Sequence, residues 1–548
     1  MTSGRHAAMK RALGTLPGAA EVYQRFRSPG RPAISGYRLD RLAAAIPGWA
    51  AAAGGARAER RDGSSPKRVL VMGLLPWWVE YAGALALLLA ADGHEVELGL
   101  LPYRKWAEEV DEFDARRQAL FLRDVFAPAR PMIAVRDLLS RPGGSLPAEL
   151  RAAIEAQSLI DTQYTLQRES VQTEVGEGDG SLYGLRLQRN MAAAAASHRL
   201  LKSRTYDAVI IPNGSILEFG AVYHVARYMA APVVTYEFGE QRDRMWLAQD
   251  QEVMRQDTTA LWQARGALPL TTQEMQALSA LLQARRGGMQ WANFHRQWQP
   301  APSQGAEGLR RVLGIDATRP VALVCTNVVA DSLALGRQVF TEGMADWLAQ
   351  VVRHLAQSPA VQLIIRVHPG ELLGAGHPSI EIVQAELPQL PPHVIVVPPE
   401  SKVNTYDLIG LAQVGMVYTS TVGLEMAMSG LPVIVAGQTH YRGKGFTVDP
   451  STLPAFFAAV DSILHTPRER AVVKAQVELA QRYAYRYFFE YPFRFPWHLL
   501  TLWEDLAARP FEEVVRDEGL NPYRRTLDAL TGQPIDWGSA GNDLRGLV

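Results

Sequence analysis

The stretch RVLVMGLL, residues 68–75, begins a regular alternation of apolar strands and helical segments. A helical stretch follows over 78–92, and EVELGLL at 95–101 is predicted as a second strand after a turn. Two buried strands joined by a helix predict a βαβ unit, which belongs to a parallel sheet. This part of the chain therefore indicates an α/β fold.

The same alternation continues along the chain and restarts after residue 301. In the first half, further strands are predicted at 131–135, 208–212 and 232–238. In the second half, strands are predicted at 319–327, 361–369, 393–399, 414–420 and 432–437. Alternating strands and helices of this kind predict two Rossmann-like domains, which we expect to face each other across a cleft.

The predicted organisation has four segments. Residues 1–66 form an N-terminal extension, 67–300 the first Rossmann-like domain, 301–475 the second, and 476–548 an aromatic-rich C-terminal tail. Both terminal extensions are expected to be helical. The aromatic and Arg-rich stretch at 482–503 permits two interpretations: a helix that packs back on the domains, or an element that binds a membrane surface or a partner.

The bulk composition limits the classes of function. Lys+Arg and Asp+Glu both number 56 among 548 residues, so the chain lacks the basic excess typical of nucleic-acid-binding proteins. The single cysteine, Cys325, lies in an apolar run, which indicates a buried thiol in a reducing compartment. The N-terminus shows no secretory apolar stretch, and the run at 81–91 is too short to cross a bilayer. We expect a cytoplasmic protein that binds no nucleic acid.

Polar residues follow the predicted strands of the second half, where open α/β sheets bind ligands. In YTSTVGLEMAMSG (418–430), Thr419, Ser420 and Thr421 stand where a strand turns into a helix, a position that favours a phosphate. Glu425, one turn further on, is suited to accept hydrogen bonds from ribose hydroxyls. The alternative is an ordinary helix cap followed by a solvent-facing glutamate.

Two further loops strengthen this interpretation. In IIRVHPGE (364–371), His368 is suited to donate to a phosphate oxygen or to act as an acid toward a leaving phosphate. In GQTHYRGKGFT (437–447), three glycines permit a close backbone approach beside several polar side chains. The other candidates for binding an anionic ligand in the second half are Asn327, Arg366, Pro369, Lys402, His440, Tyr441, Arg442 and Lys444.

The first half offers carboxylates at two predicted strand ends. A carboxylate there is suited to take a proton or to form a covalent intermediate. We rank Glu237 first because it ends a predicted strand and because Gly239 leaves room for a substrate. Glu240 and Glu218 are its rivals, and any of the three is equally interpretable as a salt-bridge partner. The sequence has no Asp-x-Asp pair and no cluster of His and Asp ligands, so it indicates no metal requirement.

Three stretches resemble the capsule polysaccharide biosynthesis family, which includes bacterial Kdo transferases of the GT-B fold. They are TNVVADS (326–332), IRVHPGE (365–371) and YTSTVGLEMAMSGLPVIVAGQTHYRGKGFT (418–447). Bacterial sialyltransferases share a His-Pro motif and a Ser/Thr pair for a CMP donor. The resemblance implies that His368-Pro369 and Ser420-Thr421 serve the donor phosphate, and that the chemistry needs no metal.

The function implied by this resemblance is that of a glycosyltransferase. It would move a sugar, with Kdo or a related acid sugar as the first candidate, from a CMP-linked donor to a growing capsule or surface polysaccharide. The nucleotide sugar is then a substrate rather than a cofactor, and the acceptor is a glycan or glycolipid at the inner face of the cytoplasmic membrane. The alternatives are a nucleotide-sugar 2-epimerase, a polyol-phosphate transferase of teichoic-acid type, and a non-catalytic nucleotide-binding scaffold.

Overall fold

The computed structural model describes residues 9–10, 12–27, 30–60, 65–139, 144–173, 179–291, 294–295, 301–373, 378–465 and 470–541. The chain divides into two compact units. The first comprises Met1–Thr165, Gln172–Met254 and Phe493–Ile535, and the second comprises Leu166–Val171, Arg255–Pro492 and Asp536–Val548.

The described part of the chain contains helices and strands in alternation. The strands are β1 (Arg68–Leu74), β2 (Glu95–Leu101), β3 (Ile133–Asp137), β4 (Ala208–Pro212), β5 (Val233–Phe238), β6 (Arg244–Gln249), β7 (Met289–Trp291), β8 (Phe294–His295), β9 (Val321–Cys325), β10 (Gln362–Arg366), β11 (Val394–Val397), β12 (Val414–Val417), β13 (Val433–Val435) and β14 (Phe493–Arg494). The α-helices are α1 (Ala19–Arg27), α2 (Asp40–Glu59), α3 (Pro76–Ala91), α4 (Glu112–Val125), α5 (Ala148–Leu166), α6 (Asp179–Ser203), α7 (Leu217–Tyr228), α8 (Thr259–Arg265), α9 (Thr272–Arg286), α10 (Gly305–Leu313), α11 (Met344–Ala356), α12 (Pro378–Glu386), α13 (Thr405–Leu411), α14 (Val422–Met428), α15 (Leu453–His465), α16 (Arg470–Tyr485), α17 (Leu502–Ala508), α18 (Phe511–Val514), α19 (Asp517–Leu520) and α20 (Arg524–Leu530). Short 3₁₀ turns lie at Ala127–Ala129, Val253–Arg255, Pro369–Leu373, Leu499–Thr501 and Asn521–Tyr523, and Arg486–Glu490 is a π-helical turn.

The two units share one strand order. In the first unit the order is β14-β6-β5-β4-β1-β2-β3, and the five strands from β5 to β3 pair in parallel. In the second unit the order is β11-β10-β9-β12-β13, and every pairing is parallel. If the parallel strands of each sheet are numbered in chain order, both sheets read 3-2-1-4-5, as in Rossmann folds. The predicted α/β class with two parallel sheets is confirmed.

Apolar patterning explains how each sheet is covered. Helix α3 is apolar around its whole circumference, and it is buried along nearly its whole length in the first unit. In the second unit, α11 carries an apolar face of the kind predicted from the sequence. The buried members of that face are Met344, Trp347, Leu348, Val351, Val352 and Leu355, and Phe340 packs on the same core from just before the helix.

The boundaries of the compact units differ from those predicted. The chain passes from the first unit to the second after Met254, not near residue 300. The two terminal segments also contribute to the first unit. Trp49 in α2 stacks on Trp503 and Phe511, at ring-centroid distances of 5.8 and 5.2 Å. The described residues of the N-terminal extension and residues Phe493–Ile535 of the tail therefore belong to the first unit.

Two antiparallel strands of the first sheet, β6 and β14, were not predicted from the sequence. Strand β6 runs antiparallel to β5, and β14, which lies in the predicted tail, pairs antiparallel with β6. The chain after β5 thus turns back in a hairpin instead of entering a helix.

The aromatic stretch of the tail is buried. Its buried rings are Tyr483, Tyr485, Tyr487, Phe488, Tyr491, Phe493, Phe495 and Trp497. This burial favours the packing interpretation of 482–503 over a membrane-binding surface. In the parts of the chain that the structure describes, no helix combines the length and the apolar character that crossing a membrane requires.

Candidate functional site

The loops that follow β9 and β12 meet at the point where the strand order of the second sheet reverses, which is the usual ligand site of such sheets. The side-chain oxygen of Asn327 accepts a hydrogen bond from the backbone N–H of Thr419 at 3.1 Å. The hydroxyl of Thr419 is buried and has no hydrogen-bond partner among the described residues. A buried hydroxyl without a partner is costly, and a ligand oxygen at this point would satisfy it.

His368 is oriented by two hydrogen bonds after β10. Its backbone N–H donates to the hydroxyl of Thr326 at 2.9 Å, and its Nδ1 accepts from the N–H of Gly370 at 2.9 Å. Because Nδ1 is an acceptor here, the neutral ring carries its proton on Nε2. The imidazole is half-buried and is therefore suited to donate that proton in a hydrogen bond to an anionic oxygen.

A pocket of about 210 Å³ lies at the ends of β10 and β11. Its charged lining residues are Arg285, Arg286, Arg366, Glu400 and Lys402. The sequence pattern identified Arg366 and Lys402, but it missed the two arginines of α9 and Glu400. The arginines reach the pocket from a helix that precedes the second sheet in the chain, so no local pattern could have shown them.

The charges around this pocket favour an anion. Arg366 is buried, which lowers its pKa, and its Nη1 donates to the carbonyl of Pro398 at 2.7 Å. Arg285 is paired with Glu425, which lies outside the lining. Three cations then remain against the carboxylate of Glu400, and a net positive pocket at a strand end suits a phosphate.

Glu425, the predicted ribose contact, is engaged by two other side chains. Its side chain is 3% exposed and accepts hydrogen bonds from the guanidinium of Arg285 and from the hydroxyl of Tyr406, the latter at 2.6 Å. The guanidinium of Arg285 also stacks 4.5 Å from the ring centre of Phe488. The carboxylate is held inside the unit by a helix that is 140 residues distant in the sequence.

His440 is also part of the interior. Its ring stacks on Tyr487 with centroids 3.9 Å apart, and its Nδ1 lies 2.9 Å from the hydroxyl of Tyr483. Burial lowers the pKa of His440 to about 3, so the ring is neutral at physiological pH. Its Nε2 is buried and has no hydrogen-bond partner in the described part of the chain.

The rest of the 437–447 loop is held mainly by protein groups. The hydroxyl of Tyr441 donates to the carbonyl of Ser420 at 2.6 Å, which fixes the loop against the Ser420-Thr421 turn. Arg442 donates to the carbonyls of Val435 and Pro450. Lys444 is half-buried, its Nζ lies 3.5 Å from the hydroxyl of Thr259, and burial lowers its pKa. Ser420 and Thr421 are half-buried at the surface of this turn.

In the first unit, Glu237 lies at the end of β5. Its Oε2 accepts a hydrogen bond from the side-chain amide of Asn213 at 2.7 Å, and its Oε1 accepts from the N–H of Phe238 at 3.1 Å. Burial raises the pKa of Glu237 to about 7, although both hydrogen bonds oppose that shift. A carboxyl group with a pKa near neutrality is suited to exchange protons at physiological pH.

Glu218 has a different environment. It is fully buried, and its Oε1 lies 2.6 Å from Nε of Arg189 and 3.2 Å from Nη2 of Arg186. Burial alone raises the pKa of Glu218, but the two arginines outweigh burial and leave the pKa lowered. A carboxylate that is ion-paired with two buried guanidinium groups has a structural role and is a weak base.

Glu240 lies in the hairpin turn between β5 and β6 and is half-buried. The sequence suggested that the neighbouring Gly239 leaves room for a substrate, but the structure shows no such space. A Cβ at this position would lie 3.2 Å from Cβ and from the carbonyl oxygen of Arg244. The glycine is needed because the two strands of the hairpin approach each other closely.

The described residues contain no group of three or more His, Cys, Asp or Glu side chains arranged to hold a metal ion. The fold and these sites define an α/β protein with Rossmann strand order and polar loops at the carboxyl ends of its parallel strands. Residues 308–489 match the family described as capsule polysaccharide biosynthesis protein. This is the family that the motifs of the second half resemble, and the match covers about a third of the chain.

Solved structures give weaker likenesses. A beta Kdo 2,4 transferase, KpsC of Thermosulfurimonas dismutans, is 18% identical over 50% of this chain and 79% of its own, with a TM-score of 0.33. The beta Kdo 2,7 transferase of the same organism is 14% identical over 55% and 82%, with a TM-score of 0.31. A UDP-GlcNAc 2-epimerase from Neisseria meningitidis is 12% identical over 77% and 99%, with a TM-score of 0.25. No curated protein matches the chain. Identities and TM-scores this low assign neither an activity nor a ligand to this protein.

Proposed function

We propose that the protein is a metal-independent glycosyltransferase that moves a sugar from a nucleotide donor to a capsule or surface polysaccharide. The observation that carries this proposal is the net positive pocket beside Arg366 and Lys402 in a segment of the capsule polysaccharide biosynthesis family. A nucleoside monophosphate or diphosphate is anionic, and a net positive pocket on the same strand edge as the predicted phosphate loops favours its binding.

The donor's phosphate would lie among the loops at the reversal point of the second sheet. The groups offered to it are the hydroxyls of Thr419, Ser420 and Thr421 and the Nε2 proton of His368. Hydrogen bonds to a charged oxygen each contribute about 1.5–3 kcal/mol. As the bond between the anomeric carbon and the phosphate oxygen breaks, these donors stabilise the charge that develops on the leaving phosphate.

Glu237 of the first unit supplies the base in this proposal. The acceptor hydroxyl gives its proton to the carboxylate of Glu237 while the hydroxyl oxygen forms the new bond to the anomeric carbon. The nucleotide then leaves with the electron pair of the broken bond. Glu240 is the alternative base, because Glu218 is held by Arg186 and Arg189.

The proposed donor is a CMP-linked acid sugar, with Kdo as the first candidate, and the proposed acceptor is a glycan or glycolipid. These finer assignments rest on the motifs His368-Pro369 and Ser420-Thr421. An enzyme with a lipid-linked acceptor would work at the inner face of the cytoplasmic membrane.

Nucleotide binding tests the first step. The melting temperature is measured with CMP, UDP and GDP, because a ligand at a hundredfold excess over its Kd stabilises the folded state by about 2.7 kcal/mol. We expect CMP to give the largest shift, and we expect Lys402→Ala, His368→Ala and Ser420→Ala each to reduce it. Lys474→Ala, in an exposed Lys–Glu pair of α16, is the matched control. Equal affinity for CMP in the three variants and the native chain would contradict the phosphate assignment.

Transfer and epimerisation are then separated by omitting the acceptor. The protein is incubated with the nucleotide sugar alone, and the sugar is analysed for a new epimer. A transferase leaves the sugar unchanged apart from slow hydrolysis, and it forms product when a capsule oligosaccharide is added. Rapid isomerisation without an acceptor would establish the 2-epimerase instead, and nucleotide binding without either reaction would indicate a scaffold.

A further inference from the structure

Helix α1 is attached to the first unit by its inner face. Ala20 and Gln24 are buried, and the side-chain oxygen of Gln24 accepts a hydrogen bond from Nε of Arg117 at 3.3 Å. The side-chain amide of Gln24 donates to the carbonyl of Arg31 at 2.7 Å, and Tyr23 packs edge-on against Phe113 with centroids 5.6 Å apart. These contacts fix which side of the helix points outward.

The outward side of α1 is apolar. Val22 is 59% exposed and Phe26 is 76% exposed, and their spacing of four residues puts them on one face of the helix. We call Val22 and Phe26 the outer face of α1. Two large apolar side chains exposed on one face of a helix mark a surface that gains free energy when it is covered.

The stretch of chain that contains this outer face is rich in basic residues. The exposed arginines of α1 and the following segment are Arg25, Arg27, Arg31, Arg38 and Arg41. The acidic residues that stand among them are Glu21 and Asp40. The segment from 16 to 41 is therefore net positive, whereas the complete chain is neutral.

We propose that the outer face of α1 binds the surface of a bilayer that contains anionic lipid. An interfacial helix inserts apolar side chains at the level of the headgroups while arginines beside them contact the phosphates. Both parts are present in α1, and charge complementarity favours an anionic surface over a neutral one. The aromatic stretch at 482–503 does not provide such a surface, because its rings are buried.

The geometry of the helix supports attachment without insertion of the whole segment. The inner face of α1 is anchored by Gln24 and Tyr23, so Val22 and Phe26 can enter the headgroup region while the first unit keeps its contacts. One short helix gives a weak, reversible attachment. This attachment is independent of the proposed transferase chemistry, since none of its residues lies at Glu237 or at the donor pocket.

Sedimentation with vesicles tests the proposal. The full chain is mixed with vesicles of phosphatidylcholine alone and with vesicles containing one third phosphatidylglycerol, and the bound fraction is measured against salt. We expect binding to the anionic vesicles, weakened by salt as screening increases. Each arginine contributes about a fivefold factor to partitioning, so Arg25→Gln/Arg27→Gln should lower it about 25-fold.

The apolar contribution is tested by Phe26→Ser. We expect this variant to lose about tenfold in partitioning at low and at high salt alike. Leu390→Ser is the matched control, because Leu390 is an exposed leucine of the second unit. Circular dichroism and melting temperature should be unchanged in both variants. The proposal fails if the native chain does not bind anionic vesicles, or if Phe26→Ser binds them as the native chain does. A native dimer that Phe26→Ser converts to a monomer, without vesicle binding, would assign the outer face to a second copy of this chain instead.

Discussion

The carboxyl edges of the two sheets differ in chemistry although their parallel strands have the same order. The first edge carries Glu237, whose pKa burial raises to about 7, with Asn213 as its hydrogen-bond donor. The second carries Arg366 and Lys402 beside loops that end in hydroxyls and in His368. One edge is thus equipped to exchange a proton and the other to hold an anion. The difference lies at the carboxyl ends of the strands, where Glu237 and Arg366 stand, and in the loops that follow them.

Removing the charge of Glu237 should have the largest effect on the proton exchange assigned to the first edge. For Glu237→Gln we expect the rate of sugar transfer to fall by about 10²–10⁴-fold, because a general base is lost, while the affinity for the nucleotide stays the same. The transfer rate and the Kd are measured on the same preparation. Glu95→Gln, at an exposed pair with Arg68, is the control. Near-normal turnover of Glu237→Gln would transfer the proposed role to Glu240.

Removing the charge of Glu218 should lower the stability of the protein instead of the rate of sugar transfer. Glu218→Gln leaves two buried guanidinium groups, Arg186 and Arg189, without their full counter-charge, and breaking a buried pair costs about 3–5 kcal/mol. Urea unfolding followed by circular dichroism measures the loss. Glu95→Gln should cost less than about 1 kcal/mol, since exposed pairs contribute little. If Glu218→Gln unfolds at the same urea concentration as the native chain, the buried cluster does not stabilise the first unit.

The raised pKa of Glu237 predicts how stability varies with pH. Between the unfolded value near 4.5 and the folded value of about 7, the folded state binds more protons than the unfolded state. The free energy of unfolding therefore falls as the pH rises through this window, by up to about 3 kcal/mol. Because Gln cannot ionise, Glu237→Gln should lack this decrease. The difference in unfolding free energy between the two proteins is measured from pH 4 to 8 in steps. A difference that does not change with pH would show that Glu237 titrates normally.

The smallest expected effect concerns Asn213, whose amide stabilises the ionised form of Glu237. Removing a hydrogen bond to a charged group costs about 1.5 kcal/mol or more, so Asn213→Ala should raise the pKa of Glu237 by about one unit further. The rising limb of the profile of kcat/KM against pH should move to higher pH by the same amount. A uniformly lower profile with an unshifted limb would indicate that Asn213 only positions the loop.

The apolar runs of the sequence were sufficient to locate the parallel strands. Strands β2 and β4 coincide with the predicted EVELGLL and AVIIP segments. AVIIP is a continuous run of apolar residues, as expected for a strand that is buried on both faces, and EVELGLL is apolar from Leu98 onward. Strand β6 was missed because RMWLAQ has polar residues at both ends and because its antiparallel pairing with β5 depends on a hairpin instead of a βαβ unit. The compact units divide at a different point from the predicted boundary, since the polar segment near residue 300 looks like a linker whereas α9 already lies in the second unit.

The candidate site was predictable as a set of loops but not in its pairings. The rule that ligands bind at strand ends selects His368, Thr419 and Lys402 from the sequence alone. It could not show that Arg285 occupies the carboxylate of Glu425, because a contact between residues 140 positions apart leaves no local pattern. Burial leaves no local pattern either, because the pKa values of Glu237 and His440 depend on side chains from other elements that cover them.

The return of the chain to the first unit has a consequence for its synthesis. Strand β14 completes the edge of the first sheet, and the stacking of Trp49 on Trp503 joins residues that are translated far apart in time. A ribosome making this protein must finish residues Arg255–Pro492 of the second unit before the first unit has all its parts. Until residues Phe493–Ile535 emerge, β6 is an open sheet edge and Trp49 lacks its partner, so the nascent first unit exposes surfaces that a chaperone would recognise.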